Sequence, residues 1–125
     1  MTEIAKRRIC YAIATCRGNG GNGVARVVAM YKPPKDPAAF DKYYFATHVP
    51  IAKRIPGLRK YEVSRGAVAS PAGASGVHLV AILHFDDMAV IERALTSPEG
   101  QATVADLQNF ATGGVDILMF DQREV

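Results

Sequence analysis

The chain has 125 residues, about half of them apolar and fewer than a quarter charged, which is the composition of one globular domain with a single core. Its net charge of +3 is concentrated in residues 1–23, where Lys6, Arg7, Arg8 and Arg17 face only Glu3; the remaining 11 basic and 11 acidic residues balance. A neutral body excludes a global pull on nucleic acid or anionic membrane, and no apolar run reaches the length of a membrane-crossing helix.

Residues 1–23 read as a flexible leader, either a tail or the product of a start assigned upstream of Val24. The apolar patch Ile9–Thr15 is short for a secretion signal and ends at Arg17 without a small-residue cleavage site, so a cytoplasmic location is expected. Cys10 and Cys16 both lie here, too few for a structural zinc site and leaving residues 24–125 without a disulfide. "GNGGNG" (Gly18 to Gly23) matches the glycine pattern of a dinucleotide loop, but it precedes a strand instead of joining strand to helix. No cofactor site is read from it.

Val24 to Tyr31 is β-branched and apolar, a first strand. In "KPPKDP", Asp36 is placed to cap a helix and Pro37 to open it. Phe40, Tyr44, His48, Ile51 and Ile55 then recur at helical spacing, so His48 points inward with the apolar stripe. Pro50 has no N–H for the carbonyl of Ala46, which predicts a kink near residues 48–50 and freed polar backbone beside the imidazole. "PGL" at Pro56 to Leu58 ends the helix, and a second strand is expected over roughly 59–68. The small-residue segment Gly66 to Gly76 reads as a long mobile hairpin loop.

"VHLVAILHF", Val77 to Phe85, is the strongest strand, with His78, Val80, Ile82 and His84 expected on one side. Asp86 or Asp87 caps a helix carrying Met88, Ile91 and Leu95. Ser97-Pro98 starts another helical segment with Val104, Leu107 and Phe110, and "VDILMF" is a last strand. The order β-α-β-β-α-β predicts an α+β, ferredoxin-like antiparallel sheet with its helices on one face. The central strands are apolar on both sides, so the second face needs a cover, and homodimerisation through the sheets is expected.

His48 is the chemical candidate: a general acid or base, or a structural histidine bonded to a freed carbonyl. His78 and His84 lie too far apart along a strand to share a metal ion, about 20 Å at roughly 3.3 Å per residue, and no acidic residue supplies a recognised ligand spacing. No metal site is expected. Tyr43, Tyr44, Tyr61 and Phe110 are candidate aromatic lining.

The segments "VARVVAMYKPPKDPAAFDKYYFATHVPIAKRIPGLRKYEVSRG", "HLVAILHFDD", "SPEGQA" and "NFATGGV" resemble the EthD (ethyl tert-butyl ether degradation) family over essentially all of residues 24–125, whereas the leader has no counterpart. The Y-x3-H-x-P, P-G-L-x-x-Y and S-P-E-G motifs occur in order. The resemblance implies a dimeric α/β barrel and bacterial relatives encoded beside a cytochrome P450 system. It also implies related domains that process aromatic polyketides without a cofactor. The family histidine falls on His48. The expected function is therefore binding or conversion of a small apolar organic molecule, with His48 catalytic and Tyr44, Tyr61 and Phe110 lining the cleft. The alternative is a non-catalytic carrier or accessory scaffold for an oxidation system.

Overall fold

The structure, a computed structural model, describes residues 24–125. The leader, its glycine run and both cysteines lie outside the described residues.

Strand β1 (Ala25–Tyr31) leads to α1 (Pro37–Tyr43), a π-helical turn (Tyr44–His48) and α2 (Val49–Ala52). Strand β2 (Lys60–Val63) and a two-residue hairpin, β3 (Ala69–Ser70) with β4 (Gly73–Ala74), follow. The chain continues through β5 (Leu79–Phe85), α3 (Met88–Thr96), α4 (Pro98–Asp106), a 3₁₀ turn (Leu107–Asn109) and β6 (Val115–Asp121). The main sheet has the order β2-β5-β1-β6 with every pairing antiparallel. This is the ferredoxin-like α+β arrangement expected from the element order.

Cross-strand register separates the two faces. Tyr31 opposes Leu79, Ala29 opposes Ala81, Val27 opposes Leu83 and Ala25 opposes Phe85; all eight are buried beneath the helices. The opposite face carries Val28, Met30, Val80, Ile82, Leu118 and Phe120, all half-buried or exposed, with Leu118 53% exposed. No described element covers that face.

Several expectations need correction. The second strand ends at Val63, not near 68. The hairpin expected over Gly66 to Gly76 is present as the β3–β4 pair, with Ser75 Oγ donating to the carbonyl of Val68. His78 does not join Val80 on the open face. It sits at a bend before β5, where its Nε2 meets Asp41 at 2.8 Å and its ring stands edge-on to Phe40. A residue outside the ladder is released from strand alternation. Val104, on the helical segment with Leu107 and Phe110, is 50% exposed. α4 instead turns Gly100 and Asp106 inward.

The caps follow the sequence. Asp36 Oδ1 accepts from Ala39 N, Asp87 Oδ1 from Val90 N, and Ser97 Oγ from Gly100 N. The kink predicted at Pro50 takes the form of the π turn. Val49 donates five residues back to Tyr44 O, so the ladder widens by one residue just before proline withholds its N–H. Tyr44 and His48 thereby stay on the buried side together.

Candidate functional site

The site begins with the aromatic side chains that helix and sheet turn toward each other. Tyr31 from β1, Phe40 from α1, Tyr44 from the π turn and Phe110 after the 3₁₀ turn form a cluster with ring centroids 5.2 to 5.8 Å apart. His48 packs on it, 4.6 Å from Phe110 and 5.3 Å from Tyr44, and is only 2% exposed. Of the sequence-predicted residues, His48, Tyr44 and Phe110 are thus in mutual contact. Tyr61 joins from β2 through its hydroxyl, 2.6 Å from that of Tyr44. Burial pushes both of these phenols above their ordinary pKa, so at neutral pH they are protonated.

The imidazole does not bond to a freed backbone carbonyl, as a structural reading of the sequence expects. Its Nδ1 lies 2.9 Å from Oδ2 of Asp106, which is 6% exposed. The other carboxylate oxygen, Oδ1, accepts the Tyr43 hydroxyl at 2.7 Å and the Asn109 side-chain amide at 2.9 Å. Burial opposes ionisation of Asp106, but the hydrogen bonds from Asn109, Tyr43 and His48 prevail and hold the carboxyl below its usual range. For His48 the balance runs the other way. Burial lowers its pKa despite the bond and attraction to Asp106, so the ring is neutral at neutral pH. With an ionised acceptor at Nδ1, the proton of the neutral ring sits there and Nε2 carries the lone pair. Nε2 has no hydrogen-bond partner among the described residues.

Sequence reasoning missed Asp106 and Asn109. They stand 58 and 61 positions from His48, and no local pattern marks either of them. At the surface, Arg59 pairs with Asp86 and Lys60 with Glu62. Among the described residues, no group of three or more His, Cys, Asp or Glu side chains is placed to hold a metal ion, and no helix is long and apolar enough to cross a membrane. A separate open groove of about 370 Å³ lies between residues 56–59 and α3, lined by Leu58, Arg59, Asp86, Val90 and Arg93.

Known proteins share the fold and the sequence family of this chain. The EthD domain profile matches residues 32–114, which include the aromatic cluster from Phe40 onward, His48, Asp106 and Asn109. A curated relative, an uncharacterised 11.0 kDa protein in the thcB-thcC intergenic region of Rhodococcus erythropolis, is 37% identical over 80% of this chain and 96% of its own length. A crystal structure of an ethyl tert-butyl ether degradation (EthD) family protein from Bacillus halodurans superposes with a TM-score of 0.73 at 34% identity, covering 79% of this chain and 98% of the other. A point-mutant form of SnoaB, a cofactor-independent oxygenase from Streptomyces nogalater, shares the fold at 22% identity with a TM-score of 0.58, covering 81% and 94% of the two chains. With its profile match and two relatives above 30% identity spanning nearly their whole length, the chain belongs to the EthD family.

Proposed function

We propose that this chain takes a small apolar organic molecule against its helix–sheet aromatic cluster and moves a proton on it, with His48 Nε2 as base and then as acid. The observation that carries this reading is a buried neutral imidazole committed to a carboxylate through Nδ1, with Nε2 unpartnered among the described residues. A lowered pKa keeps the base form present at neutral pH, as proton abstraction requires. Tyr44 and Phe110 supply apolar ring surface. Tyr61, the less buried end of the phenol pair, can donate to a ligand oxygen. The π turn that presents Tyr44 and His48 is a local geometry found frequently at functional sites. A cofactor-independent oxygenase on the same fold supports chemistry run by side chains alone, and the family resemblance supports a place in an oxidative degradation pathway alongside a cytochrome P450 system.

The closed packing around His48 favours a second reading, a carrier or accessory protein, because a molecule reaches Nε2 only after a side chain moves aside. Deuterium wash-in separates the two. A panel of flat apolar ketones, 2-indanone among them, is incubated with the protein in D2O, and exchange at the carbon beside the carbonyl is followed by mass spectrometry. The base takes the C–H proton at Nε2, the electron pair delocalises into the carbonyl, and a deuteron returns to carbon. Exchange above buffer is expected, falling by about 10²-fold or more in His48→Asn with ketone affinity retained. Binding without exchange in the wild type supports the carrier; equal exchange per folded molecule in the variant removes His48 from the chemistry.

The protein is further proposed to work as a homodimer joined through its open sheet face. Six apolar side chains across β1, β5 and β6 form a patch that a second copy would bury. Leu118→Asp tests this, because Leu118 is exposed in the single chain and its replacement there disturbs little. Light scattering is expected to show a wild-type dimer and a variant monomer of nearly unchanged secondary structure. A monomeric wild type at micromolar concentration overturns the proposal.

A further inference from the structure

Deepening the acid–base reading above, and resting on it, we infer that Asp106 is the positioning residue of the site. Held by Tyr43 and Asn109, it locks His48 in the tautomer that carries its proton on Nδ1 and leaves Nε2 as the base. The argument lies in which oxygen each partner uses. Tyr43 and Asn109 both donate to Oδ1, at 2.7 and 2.9 Å, whereas His48 Nδ1 faces Oδ2 alone, at 2.9 Å. Two donors converging on one oxygen fix the carboxylate plane, and the plane aims the second oxygen at the ring. An ionised carboxylate has no proton to give, so Nδ1 must donate. When Nε2 takes a proton, the resulting imidazolium lies beside a carboxylate already ionised and oriented, so the charge formed in the apolar cluster is balanced without rearrangement.

The same asymmetry makes a specific forecast for Asp106→Asn, which changes almost no volume. Tyr43 and Asn109 will keep the amide oxygen at the Oδ1 position, because only an oxygen accepts from both. The amide nitrogen is then left at the Oδ2 position, facing Nδ1 as a donor. Nδ1 must become the acceptor, and the ring proton moves to Nε2. The base is thereby converted into a donor while the packing is preserved.

The test is long-range 1H–15N NMR of the labelled protein at neutral pH, with the His48 ring assigned by comparison with His78→Gln and His84→Gln. The wild type is expected to show a protonated Nδ1 and a lone-pair Nε2, and Asp106→Asn the reverse, with deuterium exchange of a ketone that the wild type turns over lowered about 10²-fold or more. Adding Tyr43→Phe and Asn109→Ala to Asp106→Asn frees the amide to turn, and a population with protonated Nδ1 is expected to return. A merely structural aspartate would change the melting temperature without this reversal and recovery. The inference is overturned by a wild-type ring protonated at Nε2, a measurement that needs no variant to fold, or by a folded Asp106→Asn protein with the wild-type tautomer. If the tautomers behave as expected but the wild type catalyses no exchange, Asp106 still positions the ring and the acid–base reading is the part that fails.

Discussion

Replacing Gly100 by alanine is expected to destabilise the fold by about 2 to 4 kcal/mol, from a single added methyl group. A Cβ at this position would stand 2.0 Å from the carbonyl oxygen of Ala94 and 2.9 Å from both the Ala94 carbonyl carbon and Leu95 Cα. All three are backbone atoms of the helix that α4 follows, so no rotamer change relieves the clash. The surrounding bonds hold the two helices at this distance. Ser97 Oγ donates to Ala94 O at 2.5 Å, closing α3, and accepts from Gly100 N at 3.0 Å, opening α4. Pushing the helices apart would break both caps and shift the far end of α4, where Asp106 meets His48. For a domain of about a hundred residues, a thermal melt should show a fall of roughly 10 to 20 °C, whereas alanine at the exposed neighbour Glu99 should change little. A Gly100→Ala protein that melts within a few degrees of wild type would show that the two helices tolerate separation.

Gly100 belongs to one of the three short motifs on which the family resemblance rested, and the structure gives each a physical reason. In Ser97-Pro98-Glu99-Gly100 the serine caps, proline opens the helix and glycine admits the close approach. In the segment from Pro56 to Tyr61, Gly57 adopts a φ of +84°, and a Cβ there would meet Val90 Cγ1 at 2.5 Å, so the turn that carries Tyr61 back into the sheet packs directly on α3. In Tyr44-x3-His48-x-Pro50 the π turn keeps both rings inward. The caps, the helix end at Pro56 to Leu58, the kink at Pro50 and the inward stripe were legible because capping, turn chemistry and periodicity act over a few residues; the close approaches at Gly57 and Gly100 and the π form of the kink were not. The topology was legible from the order of elements and the handedness of their crossovers, and the doubly apolar β5 signalled a second face in need of a cover.

What sequence could not yield were contacts between distant segments. Nothing local in "ATVADLQNF" distinguishes Asp106 from a solvated charge, because its burial is set by α4 packing against α2. The same packing sends Val104 outward despite its hydrophobicity. His78 was misplaced because its partners, Phe40 and Asp41, lie in another element, and because the strand begins two residues later than its apolar run suggests.

Removing the carboxylate altogether, in Asp106→Ala, is expected to reduce stability by about 2 to 3 kcal/mol and to change its pH dependence in a defined direction. Tyr43 and Asn109 lie near enough to the surface for water to replace their lost acceptor, but the buried Nδ1–H of His48 has no such substitute. In the wild type, the folded pKa of His48 is lower than in the unfolded chain, so unfolding takes up a proton between the two values. The associated stability is complete above the unfolded value of about 6.5 and falls as pH drops through the folded one. Asp106 is also depressed, and its contribution is complete above about 3.9 and is lost at lower pH. Urea denaturation from about pH 2 to 8 should therefore show stability declining with acid from about pH 6.5 through the lower folded pKa of His48, with a further loss from the carboxylate below about pH 3.9. In Asp106→Ala, burial still lowers the imidazole pKa, but the hydrogen bond and charge that raised it are gone. His48 should titrate at a still lower pH, its acid-dependent loss of stability should continue further down the scale, and the carboxylate step should vanish. NMR titration of the His48 ring reads this directly. A His48 pKa that rises in the variant would mean that water entering the vacated space outweighs the lost carboxylate, and would contradict the account of a charge-balanced pair in a water-excluding cluster.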